Sequence, residues 1–463
     1  MKLTLYGAAG DVTGTAYHLM TKSASVLIDC GIFQGNPNAE KKNRKPPPVD
    51  YDKLDAILLT HAHLDHCGRL PLVVKAGYRG PVYATPATIE IASLVLRDAF
   101  KIMTSDYEKL NRRLVRNGKI KEEPPYNQLD MEGAIGLMEP LPYQTEVRVA
   151  PGIMVQVNEA GHILGSGSLL VKAREGDIIR SVLFSGDLGP YGMPIVRDAG
   201  SFTEADVVIM ESTYGDRDHK PLKETLEETS EIIRESIRSG GKILVPSFAI
   251  GRTQDLLYYL ENAFASGEIP AFPVYLDSPM AIEATHIYMR HPELFDEEMQ
   301  DFVKNGELLR YENFIHPVAT PEASRKLNDL TGPCMIIAGS GMCSAGRIQH
   351  HLRHNLWNPA TAVLIVGYQA EGTLGRQLVD GASHVRIFGE RIAVRAKIHK
   401  LGGFSAHAGQ SDLLRWFNHL APCRPRVILT HGEDRARIPL AKVLEYDYGI
   451  VPWLPNYGDS IEL

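Results

Sequence analysis

The sequence predicts an α/β protein of two domains, with one domain inserted into the other. At 463 residues, the chain is longer than a single hydrophobic core usually serves. In residues 1–208 and again in 395–463, short apolar runs end in a histidine or an aspartate, and the first two hundred residues are expected to hold few helices. Residues 209–394 instead alternate apolar runs with amphipathic helices. We therefore expect the two flanking segments to form one layered domain and the middle segment to form a doubly wound α/β domain.

The composition is that of a globular protein with a reducing environment. Apolar residues make up 44% of the chain and charged residues 23%. No apolar run approaches the ~20 residues that a membrane-spanning helix needs, and residues 1–7 predict a first strand rather than a signal peptide. The five cysteines are odd in number and form no Cys-x-x-Cys pair, which favours a cytoplasmic location. We expect no membrane partner.

The charge of the chain does not by itself indicate a nucleic-acid partner. The formal net charge is −7, so a polyanion would need a local basic surface. Two basic stretches exist, one at 41–45 and one at 112–121 along a predicted helix. From charge alone, each is predicted to be a solvated face.

The densest group of potential metal ligands is the loop 61–66, with the sequence His-Ala-His-Leu-Asp-His. The apolar run 56–59 before it predicts a buried strand, and the Gly-Arg-Leu-Pro stretch after it predicts a helix start. Zinc accepts imidazole nitrogens and carboxylate oxygens, and a strand-to-helix loop can direct alternate side chains at one point. We therefore expect a metal site rather than a polar loop rich in histidine.

Other predicted strand ends carry side chains of the same kind. Asp29, Asp187 and His431 each follow an apolar run, and His162 lies in a glycine-flanked turn. Side chains at strand ends can converge on one cleft in a layered α/β fold. Asp29 comes early in the chain, and we expect it to hold a loop or orient a ligand histidine rather than to bind metal.

The remaining candidates divide into two ligand sets joined by one carboxylate. Two metals ~3.5–4 Å apart would share that carboxylate and a water, yield hydroxide near neutral pH and stabilise attacking and leaving oxygens together. Such a centre suits phosphodiester hydrolysis, although it could also open an amide, a thioester or a lactam. The two sets are His61, His63 and His162, and Asp65, His66 and His431, with Asp187 as the bridge.

Taken together, these motifs resemble a known fold. The loop 61–66, with Asp29, His162 and Asp187, is similar to the four motifs of the metallo-β-lactamase fold, an αββα sandwich. Three further pieces resemble the β-CASP nucleases of that fold, namely Glu211 in Glu-Ser-Thr-Tyr-Gly-Asp, His407 in Ser-Ala-His, and His431 in Thr-His-Gly-Glu. The stretches 246–252, 277–280 and 340–342 support the match, which runs nearly end to end. It points to the cleavage and polyadenylation endonuclease type and its bacterial relatives.

The resemblance implies roles for single residues. His407 would be the general acid that protonates the leaving oxygen, Glu211 would hold its ring, and His431 would complete the second zinc site. Asp65 and Asp187 would belong to the catalytic centre with them. In this family, histidine at the position of His431 accompanies RNA cleavage, whereas DNA-repair members carry an apolar residue. The resemblance therefore implies two Zn²⁺ per chain and single-stranded RNA as the substrate.

Several residues outside the metal motifs are weaker candidates. Substrate contacts are expected from Arg252, Ser340, Gly341 and Ser405, and the glycine-rich stretch 339–346 could hold a phosphate on backbone N–H groups. Three histidines at helical spacing show no acidic partner nearby in the sequence, so we expect them on a surface helix. They are His350, His351 and His354.

Three classes of function fit these features. The favoured class is a zinc-dependent ribonuclease acting in RNA processing or decay. A small-molecule hydrolase of the same fold is disfavoured because it needs no second domain of this size. An inactive RNA-binding scaffold is disfavoured because every motif position is filled. Endonucleolytic and 5′–3′ exonucleolytic cleavage both stay open, and so does a homodimer.

Overall fold

The computed structural model describes residues 1–35, 39–305, 314–369 and 372–463. These residues form two compact units. Unit 1 comprises 1–191, 198–218 and 407–463, and unit 2 comprises 192–197 and 219–406. Across the described ranges, no helix has the length and apolar character needed to cross a bilayer.

The strands are numbered along the whole chain. They are β1 Lys2–Leu5, β2 Tyr17–Met20, β3 Ser25–Ile28, β4 Ala56–Leu58, β5 Val82–Ala84, β6 Met138–Pro140, β7 Val147–Ala150, β8 Ile153–Glu159, β9 Gly167–Glu175, β10 Ile178–Phe184, β11 Val207–Glu211, β12 Lys242–Pro246, β13 Val274–Leu276, β14 Ile315–Pro317, β15 Cys334–Ala338, β16 Ala362–Ile365, β17 His384–Ile387, β18 Glu390–Ala393, β19 Lys397–Lys400, β20 Arg426–Thr430 and β21 Ser460–Glu462.

The α-helices are numbered in the same way. They are α1 Ala39–Lys42, α2 Leu64–Cys67, α3 Leu70–Lys75, α4 Pro86–Arg116, α5 Gln128–Gly136, α6 Leu222–Ser239, α7 Arg252–Ala265, α8 Pro279–Arg290, α9 Glu297–Lys304, α10 Pro321–Lys326, α11 Ile348–Asn355, α12 Leu374–Val379, α13 Gln410–Asn418 and α14 Asp434–Tyr448. Short 3₁₀ turns lie at Pro292–Leu294, Leu327–Asp329 and Ala421–Cys423.

Unit 1 contains two β-sheets that share a hydrophobic core. The first has the strand order β21-β1-β2-β3-β4-β5-β6, and the second has the order β20-β11-β10-β9-β8-β7. Leu3 and Val26 from the first sheet pack in one buried cluster with Val155 and Phe184 from the second. On its other face, the second sheet packs against α13 and α14 through a second cluster that contains Trp416 and Leu440. These layers agree with the predicted αββα sandwich.

Unit 2 is built on a parallel sheet with the order β14-β13-β15-β12-β16-β19. Its strands are apolar on both faces, as expected when helices cover both sides. Ile243 and Val245 of β12 pack on the side of α6 and α7, whereas Leu244 between them packs on the side of α11. The predicted doubly wound insert is therefore present.

The boundaries of the units differ from the divisions at 208/209 and 394/395 expected from the sequence. Strand β11 begins at Val207 and pairs in parallel with both β10 and β20, so Glu211 lies in unit 1. Strand β19 pairs with β16 of the insert, so unit 2 extends to residue 406. Partner choice between strands distant in sequence decides both positions, and an apolar run does not reveal its partner.

Two further expectations need correction. The first two hundred residues were expected to hold few helices, yet α4 alone has 31 residues. His351 was expected on a solvated helix surface, but its side chain is buried and its Nε2 lies 2.6 Å from Asp277 Oδ2. The acidic partner that the neighbouring sequence lacks is supplied by the end of β13.

Candidate metal centre

The histidine-rich loop follows β4 and includes the one-turn helix α2. Asp65 and His66 both lie on this single turn. The chain leaving β3 packs tightly against this loop, because a Cβ atom at Gly31 would lie 1.5 Å from the carbonyl oxygen of Asp65. Only glycine fits at this contact, so the path after β3 fixes the position of the loop.

Three histidines and one aspartate form the first ligand group. His63 Nδ1 lies 3.1 Å from His61 Nε2 and 3.0 Å from His162 Nε2. Asp187 Oδ2 lies 3.4 Å from His61 Nε2 and 3.6 Å from His162 Nε2. One donor atom from each residue falls within 4.8 Å of all the others. This spacing suits a single metal ion bound from four directions.

The second group consists of one carboxylate and two imidazoles. His431 Nε2 lies 3.3 Å from His66 Nε2 and 3.6 Å from Asp65 Oδ2. The other oxygen of Asp187, Oδ1, lies 3.3 Å from His66 Nε2 and 3.5 Å from His431 Nε2. The two carboxylate oxygens of Asp187 therefore face different groups, as a bridging ligand requires.

Asp29 makes hydrogen bonds to Thr60, which precedes the histidine-rich loop, and contacts His66 within it. Its Oδ1 accepts a hydrogen bond of 2.8 Å from the backbone N–H of Thr60, and its Oδ2 accepts one of 2.8 Å from the Thr60 hydroxyl. Oδ2 also lies 2.8 Å from His66 Nδ1. With Nδ1 engaged by the carboxylate, Nε2 of His66 is directed at the second ligand group. Asp29 thus contacts Nδ1 of His66, a candidate ligand of the second group.

Asp29 and His431 share an uncommon backbone conformation. Their φ angles are 59° and 47°, in the left-handed region that non-glycine residues seldom adopt. Each is held by a backbone hydrogen bond, from Asp29 N to Leu58 O at 2.8 Å and from His431 N to Ala8 O at 2.7 Å. Such local strain persists where the surroundings impose it, and here it directs both side chains into the centre.

The turn that carries His162 is fixed by polar groups. Ser166 Oγ accepts a hydrogen bond of 3.1 Å from the His162 backbone N–H. Glu159 Oε1 accepts hydrogen bonds of 3.1 Å from the N–H groups of Ala160 and Gly161. Because these acceptors come from residues before and after the turn, they fix the backbone that carries the imidazole.

His407 lies beside the first ligand group and is hydrogen-bonded to a carboxylate. Its Nδ1 lies 3.3 Å from Glu211 Oε1 and 3.9 Å from Asp187 Oδ2. Leu188 anchors this arrangement, because its N–H donates to Glu211 Oε1 at 2.6 Å and its carbonyl accepts from Ala408 N at 2.7 Å. The residue next to Asp187 therefore holds both the carboxylate and the chain that carries His407.

Thr213 links Glu211 to the second ligand group. Its hydroxyl donates to Glu211 Oε2 at 2.6 Å and lies 3.0 Å from His431 Nδ1. A hydroxyl that donates to the carboxylate is free to accept from the ring N–H, which leaves Nε2 of His431 as the donor atom for metal. Glu211 is thus connected to His407 directly and to His431 through Thr213.

Burial and neighbouring charge set the protonation of the ligands. Burial holds the pKa of His61 well below its usual value and lowers that of His63 to about 4. Burial opposes ionisation of Asp65 and Asp187, but the surrounding imidazoles lower the pKa of Asp65 to about 2 and that of Asp187 well below its usual value. For His66, Asp187 and Asp29 overcome the effect of burial and raise the pKa. Neutral imidazoles and ionised carboxylates are the forms that bind metal.

The donor set fits divalent metal ions. Asp187 Oδ1 is buried and has no hydrogen-bond partner within the described ranges, and an orphaned carboxylate oxygen is costly without a cation. A third combination, Asp187 with His407 and His431, also has donor atoms within 4.8 Å of one another. The contact with Glu211 makes His407 a poorer ligand, because it engages Nδ1, the nitrogen nearest Asp187.

The substrate residues expected in the insert lie in unit 2 and make contacts there. Arg252 is buried and its Nη1 lies 3.0 Å from Asp255 Oδ2. Ser340 Oγ accepts from the N–H groups of Ser344 and Ala345 at 3.1 and 3.2 Å, and Gly341 O accepts from Gln369 Nε2 at 2.9 Å. Ser405 is partly buried.

Sequence reasoning missed the hydroxyl groups that support the ligands. Thr60 lies 3.1 Å from His61 Nδ1 in addition to its bonds with Asp29, and Thr213 joins Glu211 to His431. The available signal was position, since Thr60 directly precedes His61 and Thr213 lies two residues after Glu211. A threonine at a strand end also suits an ordinary turn, so position alone does not identify it.

Comparison with known proteins agrees with this geometry. Residues 9–228 match the metallo-beta-lactamase superfamily, residues 253–378 match the Beta-Casp domain, and residues 391–455 match the Zn-dependent metallo-hydrolase RNA specificity domain. A protein named ribonuclease TTHA0252 from Thermus thermophilus is 41% identical over 96% of each chain. Transcription termination factor FttA from Methanocaldococcus jannaschii is 31% identical over 100% of this chain and 72% of its own.

A solved structure shares the fold at much lower sequence identity. The crystal structure of a protein of unknown function from Enterococcus faecalis V583 superposes with a TM-score of 0.54 at 15% identity, covering 100% of this chain and 99% of that one. The domain matches cover all the candidate metal ligands, and the two curated relatives align over nearly the whole chain. The chain therefore belongs to the β-CASP family of metallo-β-lactamase-fold nucleases, which are metal-dependent hydrolases.

Proposed function

We propose that the protein is a zinc-dependent ribonuclease that binds two Zn²⁺ and hydrolyses phosphodiester bonds of single-stranded RNA. The observation that carries the metal count is Asp187, whose two oxygens face two separate ligand groups. RNA as the substrate is supported by the relative named as a ribonuclease and by the match of 391–455 to an RNA specificity domain.

The two groups would each hold one ion. His61, His63 and His162 would bind the first, and Asp65, His66 and His431 the second, with Asp187 shared. When bound, zinc supplies Lewis acidity, which makes water a nucleophile near neutral pH and offsets negative charge on the phosphate. Each ligand histidine is buried or partly buried, so little solvent competes for its nitrogen.

His407 would supply a proton to the leaving oxygen. In the chain without metal, burial opposes a charged ring, but Glu211 and then Asp187 raise the pKa of His407 to about 9. A dication on Asp187 would repel the charged ring and lower this pKa toward neutrality, where an acid is most effective. Glu211 then acts as a positioning residue, because its carboxylate fixes Nδ1–H and leaves Nε2–H to face the substrate.

A catalytically inactive RNA-binding scaffold is less well supported than a ribonuclease. Every proposed ligand side chain is present, and burial and charge favour neutral His61 and ionised Asp187, which are the forms that bind metal. A hydrolase for small molecules is less well supported because relatives with names that refer to RNA or transcription align over nearly the whole chain.

One assay series tests the proposal. The protein is dialysed, its zinc is counted by elemental analysis, and RNA, DNA of the same sequence and a chromogenic β-lactam are supplied separately. We expect a content near two zinc ions per chain and cleavage of RNA above the other two. Full activity at one zinc per chain would overturn the two-metal part, and equal cleavage of DNA would overturn the assignment of His431 to RNA specificity.

The matched variants are Asp187→Ala and His431→Ala. The first should lose both ions because its carboxylate serves both groups, and the second should weaken one of them. RNA labelled at the 5′ end and carrying a phosphate, a hydroxyl or a triphosphate then separates endonucleolytic from 5′–3′ exonucleolytic cleavage by product length.

A further inference from the structure

The hairpin β17–β18 of unit 2 has one apolar face and one cationic face. Val385, Ile387 and Ile392 are at most 7% exposed and belong to the core under the parallel sheet. Arg386 and Arg391 alternate with them and are exposed. The core fixes the hairpin as a platform, and its outer face is left to solvent.

The two arginines of the outer face stand directly opposite each other. Arg386 and Arg391 are register partners across the two strands, and like charges in that position destabilise a hairpin. In the described part of the chain, neither guanidinium has a carboxylate within ion-pair distance. The one carboxylate of the hairpin, Glu390, instead pairs with Arg353 at 2.6 Å. An anion bound between the two guanidinium groups would relieve their repulsion.

The hairpin turn displays an aromatic ring at a conformational cost. The turn residues Phe388 and Gly389 have φ angles of 51° and 84°, the pattern of a two-residue turn that normally takes Asn-Gly or Asp-Gly. A left-handed backbone costs a residue with a Cβ atom ~1–2 kcal/mol. Burial does not offset this cost, since Phe388 is 57% exposed. Its ring lies against His350, with centroids 4.6 Å apart.

Two guanidinium groups beside an exposed aromatic ring suit the binding of unpaired nucleotides, which offer both a phosphate and an open base face. Guanidinium groups bind phosphate in a bidentate manner, and an exposed aromatic ring stacks on a base of any sequence. An acidic peptide would use the arginines but gives no reason for the exposed ring, and duplex RNA hides its base faces. Because the chain as a whole carries a net charge of −7, a polyanion must be held by local surfaces of this kind.

We propose that the outer face of the β17–β18 hairpin binds single-stranded RNA, with Arg386 and Arg391 on the phosphate backbone and Phe388 stacked on a base. This inference rests on the proposed function, because it concerns binding of the same substrate. It assigns the hairpin a part in holding RNA and no part in the chemistry.

The first test measures RNA binding in zinc-loaded His407→Ala protein, which is used as the common background so that the RNA stays intact. Anisotropy of a labelled 20-nucleotide RNA is recorded from low to high salt. The double change Arg386→Gln with Arg391→Gln should weaken binding. The slope of log K against log salt should become shallower by ~0.7 for each phosphate that the protein no longer neutralises.

The matched control is Arg180→Gln in unit 1. Arg180 is also an exposed strand arginine, but it has a partner, since its Nη1 lies 3.5 Å from Asp206 Oδ1. The substitution removes one positive charge from the chain and should leave both affinity and salt slope unchanged. Effects in proportion to the charges removed, two in the hairpin variant and one in the control, would reduce the result to net charge and overturn the proposal.

The second test distinguishes a role of Phe388 in RNA binding from a role in folding. Phe388→Asn suits the left-handed turn, so the melting temperature should stay the same or rise. RNA affinity should fall by about 5- to 150-fold, the range for one base–aromatic stack, with little change in salt slope. If Phe388 were present only for folding, the melting temperature would fall and the affinity would not change, which would refute its role in RNA binding.

The remaining outcomes keep the two proposals apart. If zinc-loaded wild-type protein cleaves no RNA but the hairpin variants still weaken binding, the proposed function fails and the hairpin proposal stands. If RNA is cleaved and all variants bind it as the parent does, the hairpin proposal fails alone. If the variants instead dissociate a dimer in sedimentation and leave RNA affinity unchanged, the occupant is a second copy and the RNA proposal is wrong.

Discussion

His407 is the single side chain whose role experiment can test most directly, because it lies between the carboxylates of Glu211 and Asp187 and outside the two proposed ligand sets. His407→Ala should retain both zinc ions and most RNA affinity while the rate falls by a factor on the order of 10²–10⁴, the usual worth of a positioned acid. Elemental analysis, binding and single-turnover cleavage measure the three quantities.

An RNA carrying a phosphorothiolate linkage is the control for that prediction. Its sulfur leaves without protonation, so the deficit of His407→Ala should shrink on this substrate. Glu211→Gln should lose less activity than His407→Ala, because it only orients and charges the ring. An undiminished deficit, or loss of zinc from the His407 variant, would identify His407 as a ligand or a structural residue.

Thr213 offers a separate test because one hydroxyl joins Glu211 to His431. Thr213→Val keeps the shape but removes the hydroxyl, so we expect zinc affinity at the second group to fall ~10- to 100-fold. Competition with a chelator measures it. Thr213→Ser restores the hydroxyl and should recover most of the zinc affinity, whereas equal defects in both variants would point to packing of the methyl group instead.

At the scale of single residues, the sequence indicated the candidate ligands and the carboxylates expected to orient them, Asp29 and Glu211, but it did not indicate the supporting hydroxyl groups. The candidate ligands were recognisable because histidine and aspartate at strand ends have few other reasons to cluster. Thr60 and Thr213 were not recognisable, because a threonine beside a turn has many ordinary roles. Their bonds depend on the meeting of segments that lie far apart, such as Thr213 and His431.

Among the elements, the turn between β8 and β9 gives a pH-dependent prediction. Burial raises the pKa of Glu159 to about 7, although N–H groups of the turn donate to its carboxylate. Between pH ~4.3, the ordinary pKa of a glutamate, and pH about 7, the Glu159 carboxyl is therefore protonated in the folded chain and ionised in the unfolded chain. This group favours folding at low pH, and its contribution is lost as the pH rises through the folded pKa.

Glu159→Gln removes this titration and keeps the acceptor oxygen. We expect the melting temperatures of variant and wild type to agree near pH 5 and the variant to melt higher at pH 8, by an amount equivalent to ~1–3 kcal/mol after solvent screening. Calorimetry of both zinc-loaded proteins across that range measures the difference. A constant offset at every pH would show that the proton on Glu159 does not contribute.

Elements were predicted best where their pattern was local. The apolar runs before Asp29, His61 and His431 became strands β3, β4 and β20. The length of α4 was missed because only its first part is buried, up to Leu96, and the remainder lacks the apolar stripe that reveals a helix. The burial of His351 was missed because its partner, Asp277, directly follows strand β13 and lies far from His351 in the sequence.

For the whole molecule, the two units should differ in what stabilises them. Unit 2 has apolar clusters on both faces of its sheet and contains none of the proposed ligands. A fragment of residues 219–406 should therefore fold alone and melt at a temperature that does not depend on zinc. Full-length protein should gain stability with zinc in unit 1.

Circular dichroism and thermal melts with and without a chelator examine this expectation. The matched variant is Val245→Asp, which places a charge in the core of the fragment and should abolish folding. If the unmodified fragment shows no cooperative thermal transition, the folding of unit 2 depends on the rest of the chain.

The fold family was predictable from the sequence because its motifs occur in a fixed order, and the comparisons confirm it. The limits of the insert were not, since they depend on which strands pair. Strand β11 joins the sheet of unit 1 by pairing with β20, a strand that follows it by the length of the whole insert. No local pattern in 207–211 contains that information.

That pairing has a consequence for synthesis of the protein. A ribosome exposes Asp187 and the loop 61–66 well before it reaches His407 and His431, because the insert is translated between them. At about 5–20 residues per second, the interval is on the order of ten to fifty seconds. Throughout that time the nascent chain lacks His431 of the second ligand group, the proposed acid His407, and strand β20. Under the proposed assignment, a nuclease that emerges beside its own messenger RNA stays inactive until translation is nearly over.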